Sequence, residues 1–213
     1  MEPQFWHDKW HDREIGFHEG KANALLVKHF PSLRLNPGSR VFVPLCGKTH
    51  DIHWLLSKGC HVIGVELSET AIKELFDELN LKPKITSLDN LTLYQAERVN
   101  IFVGDIFELT PEQLGDIDAI YDRAALVALP GELRQRYTAQ LEKLTHKAPQ
   151  LVITFEYDQN AMSGPPFAIS EPMLKSYYDN SYAVKHLETE SVEGGLKGQA
   201  AADEAIWLLS PHN

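Results

Sequence analysis

The chain has 213 residues, 43% of them hydrophobic and 23% charged, which is ordinary globular composition and enough for one α/β domain with a full core. A formal net charge of −10, with no lysine–arginine cluster to interrupt it, excludes an electrostatic nucleic-acid surface. No apolar run reaches the length of a membrane span, and the start of the chain is polar and aromatic rather than signal-like. The expectation is a soluble, cytoplasmic, monomeric protein with a small-molecule partner. Two cysteines, Cys46 and Cys60, are too few for a zinc site and lack C-x-x-C spacing.

The first thirty residues place Phe5, Trp6, Trp10 and Phe17 among His7, His11 and His18. Trp6 and Trp10 are four apart, so a helix puts them on one face. His7 and His11 share that spacing, but no third ligand completes a metal site, and none is expected. An aromatic segment ahead of the first strand suits a lid, because ring faces attract a cationic ligand. Gly20 to Phe30 reads as a helix ended by Pro31, and Asn36-Pro37-Gly38 turns the chain onward.

Residues 40–66 form the central unit. Arg40 to Pro44 is a β-branched strand, Leu45-Cys46-Gly47-Lys48 a tight turn, Asp51 to Ser57 a helix, and His61 to Val65 a second strand closing on Glu66. Strand, glycine turn, helix, strand and an acid about twenty residues on is how an α/β sheet holds a nucleoside. Backbone at Gly47 approaches the ligand, and Glu66 takes the ribose hydroxyls; the alternative is an ordinary strand–helix–strand unit with Glu66 a solvated strand end. A dinucleotide site wants two or three glycines, whereas Gly47 stands alone and Pro44 sits where the first would be. An adenosyl ligand without phosphates therefore fits better.

Ser68 caps a helix running to about Leu79. Lys82 to Glu97 is polar and irregular, with Leu91 to Leu93 a weak strand, and reads as a small insertion on the sheet edge. Val99 to Val103 is a third strand followed by Gly104-Asp105-Ile106-Phe107; Asp105 either binds an adenine amino group or simply caps a loop. Thr110-Pro111-Glu112 opens a helical turn. Asp118 to Tyr121 is the fourth strand, which delivers Asp122 and Arg123 at its carboxyl end, where open α/β sheets bind ligands. The alternative for Arg123 is an ion pair with Asp122 or another acid. Leu133 to Leu144 is a helix, Gln150 to Tyr157 a fifth strand, and Gly164-Pro165-Pro166-Phe167 a stiff loop able to wall a pocket. A helix from Ser170 and two strands, Tyr182 to Leu187 and Glu204 to Leu209, finish the chain.

These residues carry a resemblance. Trp6-His7-Asp8-Lys9-Trp10, Ile15-Gly16-Phe17-His18, Val43-Pro44-Leu45-Cys46-Gly47-Lys48, Gly64-Val65-Glu66, Gly104-Asp105-Ile106-Phe107, the stretch Tyr121 to Ala128 and Gly164-Pro165-Pro166-Phe167 together resemble the thiopurine S-methyltransferase family in its bacterial form, nearly end to end. The resemblance implies a class I, Rossmann-like methyltransferase fold using S-adenosylmethionine. That is a mostly parallel seven-stranded sheet flanked by helices, with residues 1–35 as aromatic lid and helix and 40–213 as sheet core in a single domain. It implies that Trp10, Leu45, Glu66 and Arg123 contact the cofactor and that Asp105 and Ile106 border its adenine. Phe17, with His18 beside it, would lie against an aromatic substrate, and Arg123 near the acceptor, which it would orient. Animal members carry a further arginine in the late C-terminal loop. Here that stretch, Gly194 to Gln199, offers only Lys197, an ammonium in place of a guanidinium.

The expected chemistry is in-line transfer of a methyl from a sulfonium to the sulfur of a small aromatic or heterocyclic thiol such as a thiopurine. Methylation of inorganic selenium or tellurium compounds is the near alternative. A nucleotide-dependent oxidoreductase, disfavoured by the lone Gly47, and a non-catalytic cofactor-binding protein are the distant ones.

Overall fold

The structure, a computed structural model, describes residues 3–16 and 18–212. Its helices are α1 (Pro3–His11), α2 (Ala24–His29), α3 (His50–Ser57), α4 (Glu69–Glu78), α5 (Pro111–Leu114), α6 (Gly131–Thr145) and α7 (Glu171–Tyr178). The strands are β1 (Arg40–Pro44), β2 (His61–Glu66), β3 (Lys84–Leu88), β4 (Leu91–Ala96), β5 (Val99–Val103), β6 (Ala119–Asp122), β7 (Gln150–Tyr157), β8 (Tyr182–Ser191) and β9 (Ala202–Pro211).

All nine strands lie in one sheet, in the order β3-β4-β5-β2-β1-β6-β7-β9-β8. The five central strands, β5-β2-β1-β6-β7, are parallel. The flanking pairings, β3 with β4, β4 with β5, β7 with β9 and β9 with β8, are antiparallel. The expected seven strands are present, and two more extend the sheet. The hairpin β3–β4 occupies the stretch expected as an irregular edge insertion, and only part of β4 was legible there. An edge strand with one wet face has little apolar alternation to read; Ile85 on β3 is 56% exposed.

Side chains on the parallel strands alternate between two apolar layers, because the strand period is two. Phe42, Ile63, Phe102, Ile120 and Val152 pack with Tyr137 and Leu141 of α6. Val41, Val43, Val62, Ile101, Leu151 and Ile153 pack with Leu25 of α2, Ile52 and Leu55 of α3, and Ile72 of α4. Burial on both faces is why these strands read as nearly unbroken apolar runs. Gly64 is needed within β2 for space: a Cβ there would come within 2.8 Å of both Cys46 Sγ and Ile101 Cδ1.

Helix α2 begins at Ala24, later than its apolar spacing suggests. The Asn23 side chain caps it, accepting from Leu25 N at 2.9 Å and Leu26 N at 3.2 Å. Strand order reverses between β1 and β6, and the carboxyl ends of both open onto the same side of the molecule. That crevice is where open α/β sheets place their ligands.

Candidate active site

A cavity of about 1280 Å³ lies at those carboxyl ends. Pockets for one small molecule run to about 1,000 Å³, so this one has room for two ligands side by side. Of the predicted site residues, Trp10, His18, Leu45, Gly47, Glu66, Asp105, Ile106 and Arg123 all line it. Phe17 falls outside the described residues.

One end is built on the turn after β1. Leu45 and Gly47 both have left-handed backbone, φ 47° and 50°. For leucine this costs roughly 1–3 kcal/mol and marks a turn shaped by more than local preference. The Glu66 carboxylate holds the turn to the end of β2: Oε2 accepts from Gly47 N at 2.8 Å and Oε1 from Ser68 N at 2.9 Å. Glu66 is buried, which pushes its carboxyl above the usual range, while these backbone N–H groups pull it back down. Each oxygen keeps a lone pair for a ribose hydroxyl. Replacing Glu66 by glutamine puts an NH2 against one of those N–H donors. Donor-nucleoside affinity is then expected to fall about tenfold or more, since hydrogen bonds to a charged group contribute about 1.5–3 kcal/mol. Calorimetric titration with S-adenosylhomocysteine checks this, and an unchanged dissociation constant would confine Glu66 to bracing the turn.

Trp10 of α1 covers this end. It is buried, and its ring packs so closely on the turn that a Cβ on Gly47 would meet Trp10 Cζ2 at 2.9 Å. Trp6 lines the same cavity from one helical turn earlier. Both tryptophans therefore line the cavity, while His7 and His11 are exposed. Among the described residues no group of three or more metal-ligating side chains comes together. The segment after α1 is tied down by charge: Arg13 pairs with Glu74 at 2.6 Å, and Lys48 of the turn bridges Glu74 at 3.0 Å and Glu78 at 2.6 Å on α4.

Asp105 caps the turn Ile106–Glu108, accepting from Phe107 N at 3.0 Å, and it borders the cavity with Ile106. Cys46 also lines the wall; burial, with Glu66 beside it, pushes its thiol well up, so it stays neutral and is no nucleophile. His18 stacks on His50 with ring centroids 5.5 Å apart. Burial, together with Lys48, holds its pKa below the ordinary value, so its ring is neutral at physiological pH.

The other end is organised by Arg123, whose side chain is 8% exposed. Asp122 is not its partner. That carboxylate turns into the α6 side of the sheet, accepting from Leu126 N at 3.0 Å and from the Tyr137 hydroxyl at 2.7 Å. Consecutive side chains at a strand end point to opposite faces, which separates the two directions; the left-handed Ala124, φ 59°, follows them. Arg123 instead pairs with Glu19 from the N-terminal segment and with Asp51 Oδ2, 3.7 Å away at the start of α3. Asp51 is held by Asn23 N at 2.7 Å and by the Tyr121 hydroxyl at 3.0 Å. Glu204 of β9 lines the cavity and accepts from the Asn23 side-chain amide at 3.2 Å. Burial works against the Arg123 charge, but Tyr121, Asp51, Glu19 and Glu204 outweigh it and keep the guanidinium protonated.

Sequence reasoning did not single out Glu19, Asn23, Asp51 or Glu204 for this site. Glu204 did leave a trace, as a charged residue opening an apolar strand; the others meet only through the fold. The proline loop does wall the cavity, through Gly164, Pro165 and Pro166. It is fastened by the Tyr157 hydroxyl, donating to Pro166 O at 2.6 Å, and by Lys197, donating to Pro165 O at 2.7 Å. Lys197 thus clasps the β8–β9 loop to the wall.

The family model for thiopurine S-methyltransferase matches residues 1–210. The chain belongs to the thiopurine S-methyltransferase family. It is 54% identical over 210 residues to a thiopurine S-methyltransferase of Xanthobacter autotrophicus, covering 98% of this chain and 99% of the relative. A Teredinibacter turnerae thiopurine S-methyltransferase is 51% identical over 210 residues, covering 99% and 98%. Among solved structures, a 1,6-didemethyltoxoflavin-N1-methyltransferase of Burkholderia thailandensis superposes with a TM-score of 0.66 at 17% identity, covering 98% of this chain and 87% of that one. A methyltransferase from Anabaena variabilis gives 0.63 at 16%, covering 99% and 95%. The fold is that of the S-adenosylmethionine-dependent methyltransferases. This family member is a methyltransferase, and its methyl donor is S-adenosylmethionine.

The site suits that donor. Lone pairs on Glu66, the close approach allowed at Gly47 and the aromatic cover of Trp10 match a nucleoside with a cationic sulfur. Among the described residues, Arg123 Nε and His18 Nδ1 are buried and meet no hydrogen-bond partner, which a bound ligand would relieve.

Proposed function

We propose that this family member methylates the sulfur of small aromatic or heterocyclic thiols, thiopurines among them. The observation that carries the reading is the shared cavity: a nucleoside-type turn at one end and, at the other, a buried arginine among apolar walls of Phe155, Val127 and Pro165. The names borne by relatives at 54% and 51% identity support the same acceptor class.

When bound, S-adenosylmethionine supplies an electrophilic methyl on a sulfonium. Trp10, Leu45, Gly47, Glu66, Asp105 and Ile106 are the residues that would hold it. The protein's part is placement and exclusion of water. Positioning two reactants in one site supplies up to roughly 7–11 kcal/mol in well-oriented cases. Opposite charges cancel as sulfonium meets thiolate, so apolar walls favour the reaction. Arg123 orients the acceptor and favours its thiolate form. His18, neutral and stacked, presents a flat face to an aromatic ring.

Transfer of labelled methyl to a panel of thiols, thiopurines, selenols, selenite and tellurite tests the reading; transfer to tellurite or selenite alone would replace it. S-adenosylhomocysteine at about 100 times its dissociation constant should add about 2.7 kcal/mol of stability. That raises the melting temperature by about 5–11 °C for a chain of this size. NAD should leave it unchanged, and a rise with NAD alone would overturn a methyl-transfer role.

A further inference from the structure

Methylating the sulfur of a heterocycle raises a question of protons. A cyclic thioamide, a ring bearing C=S beside N–H, carries its proton on nitrogen. When its sulfur gains a methyl, the C=S pair becomes the new S–C bond and the ring is left cationic. Neutrality returns only when the N–H proton leaves and its electron pair closes a C=N bond. An arenethiolate has no such proton to lose. A site for the first class needs a base beside the arginine; a site for the second does not.

Among the described carboxylates near Arg123, one is suited to that task. Both oxygens of Asp51 are engaged, one by Asn23 N and the other by the Tyr121 hydroxyl and Arg123, and Asp51 does not line the cavity. Glu19 lines it but is paired directly with Arg123, and its side chain is 42% exposed. Glu204 lines the cavity, is half-buried, and receives from described residues only the neutral Asn23 amide, at 3.2 Å to Oε1 and 3.5 Å to Oε2. Each of its oxygens has a lone pair to spare. Its strand holds it there: β9 pairs with β7 so that Glu204 lies opposite Phe155, another wall residue.

We propose that Glu204 is a catalytic base that accepts the ring N–H proton of a cyclic thioamide acceptor whose sulfur is held by Arg123. The inference rests on the S-methylation reading and narrows it to acceptors with C=S beside N–H. In the balanced step the sulfur gains the methyl and the donor leaves as its neutral thioether. The proton passes from ring nitrogen to the Glu204 carboxylate, and solvent later removes it. Burial lifts the Glu204 carboxyl above its ordinary value, Arg123 draws it back, and Glu19 and Asp51 act with burial. Glu190, opposite Glu204 on β8, faces it from the remaining side. A carboxylate lifted in this way is a better proton acceptor.

The test compares wild type, Glu204→Gln and Glu204→Asp on two acceptors, 2-mercaptobenzimidazole as cyclic thioamide and thiophenol as arenethiol. General-base loss costs about 10²- to 10⁴-fold. Glu204→Gln should therefore lower kcat for the thioamide by at least about a hundredfold and for thiophenol less than threefold, with Glu204→Asp in between. The acid limb of the thioamide pH profile should vanish in Glu204→Gln. Calorimetry without donor supplies a second reading: the thioamide should bind Glu204→Gln about tenfold more weakly, thiophenol equally. Equal losses on both acceptors, or none on either, overturn the inference while leaving S-methylation intact. Thioamide binding without methylation of any thiol overturns the S-methylation reading and the inference with it. An S-adenosylhomocysteine melting shift unchanged in Glu204→Gln shows that the variant is folded.

Discussion

Replacing Arg123 by leucine is expected to lower the melting temperature by about 6–20 °C and to abolish measurable methyl transfer. Arg123 balances Glu19 and the fully buried Asp51, with Glu204 close by. Removing one partner of a buried pair leaves a charge without compensation, at about 3–5 kcal/mol. A chain of this size shifts by about 2–4 °C per kcal/mol. Arg123→Lys keeps the charge but not the fork that reaches two carboxylates, so turnover should fall further than donor affinity. Arg123→Leu combined with Asp51→Asn removes the stranded charge; stability should recover in part and turnover should not. Thermal melts and kinetics on the three variants decide the matter. An unchanged melting temperature in Arg123→Leu would mean that the pairs contribute nothing, and retained turnover would remove Arg123 from the acceptor site.

The second large effect lies at the neighbouring residue. Asp122→Ala should destabilise by about 2–6 kcal/mol, because the Leu126 N–H and the Tyr137 hydroxyl are left buried and unpaired at about 1–3 kcal/mol each. At the upper end that exceeds a stability near 5 kcal/mol, the low end of the usual range of about 5–15 kcal/mol. A pH signature accompanies it. Burial raises the Asp122 carboxyl from 3.8 to about 6, against the pull of the Leu126 N–H and Tyr137. Between those values the folded chain holds a proton that the unfolded chain has released. Stability from this group is therefore complete below pH 3.8 and lost as pH rises through about 6, by about 3 kcal/mol. Asp122→Asn cannot ionise. The stability difference between wild type and Asp122→Asn should change across that window and be flat above it; a flat difference throughout would show Asp122 ionised in both states.

Most of the parallel core was legible because its signal is local. β1, β2, β5, β6 and β7 are buried on both faces, so each appears as a short apolar run with turn residues at its ends. The Gly47–Glu66 end of the cavity was legible for the same reason: the two residues sit on consecutive elements of one strand–helix–strand unit. The β3–β4 hairpin was not, since an edge strand makes few of the contacts that impose a pattern.

The acceptor end shows what local pattern cannot carry. Arg123 could be located by its place after β6, but its partners could not: the adjacent Asp122 was the natural candidate, and the alternation of consecutive side chains at the strand end sends the two to opposite faces. Glu19, Asn23, Asp51 and Glu204 come from the N-terminal segment, α3 and the last strand. By itself the sequence determined the fold class and the family, because propensity, periodicity and motif spacing act over a few tens of residues. Only the tertiary structure decided which carboxylates face Arg123 and which of them still has a lone pair to give, because a buried charge is compensated by whatever the packed sheet brings to it, without regard to distance along the chain.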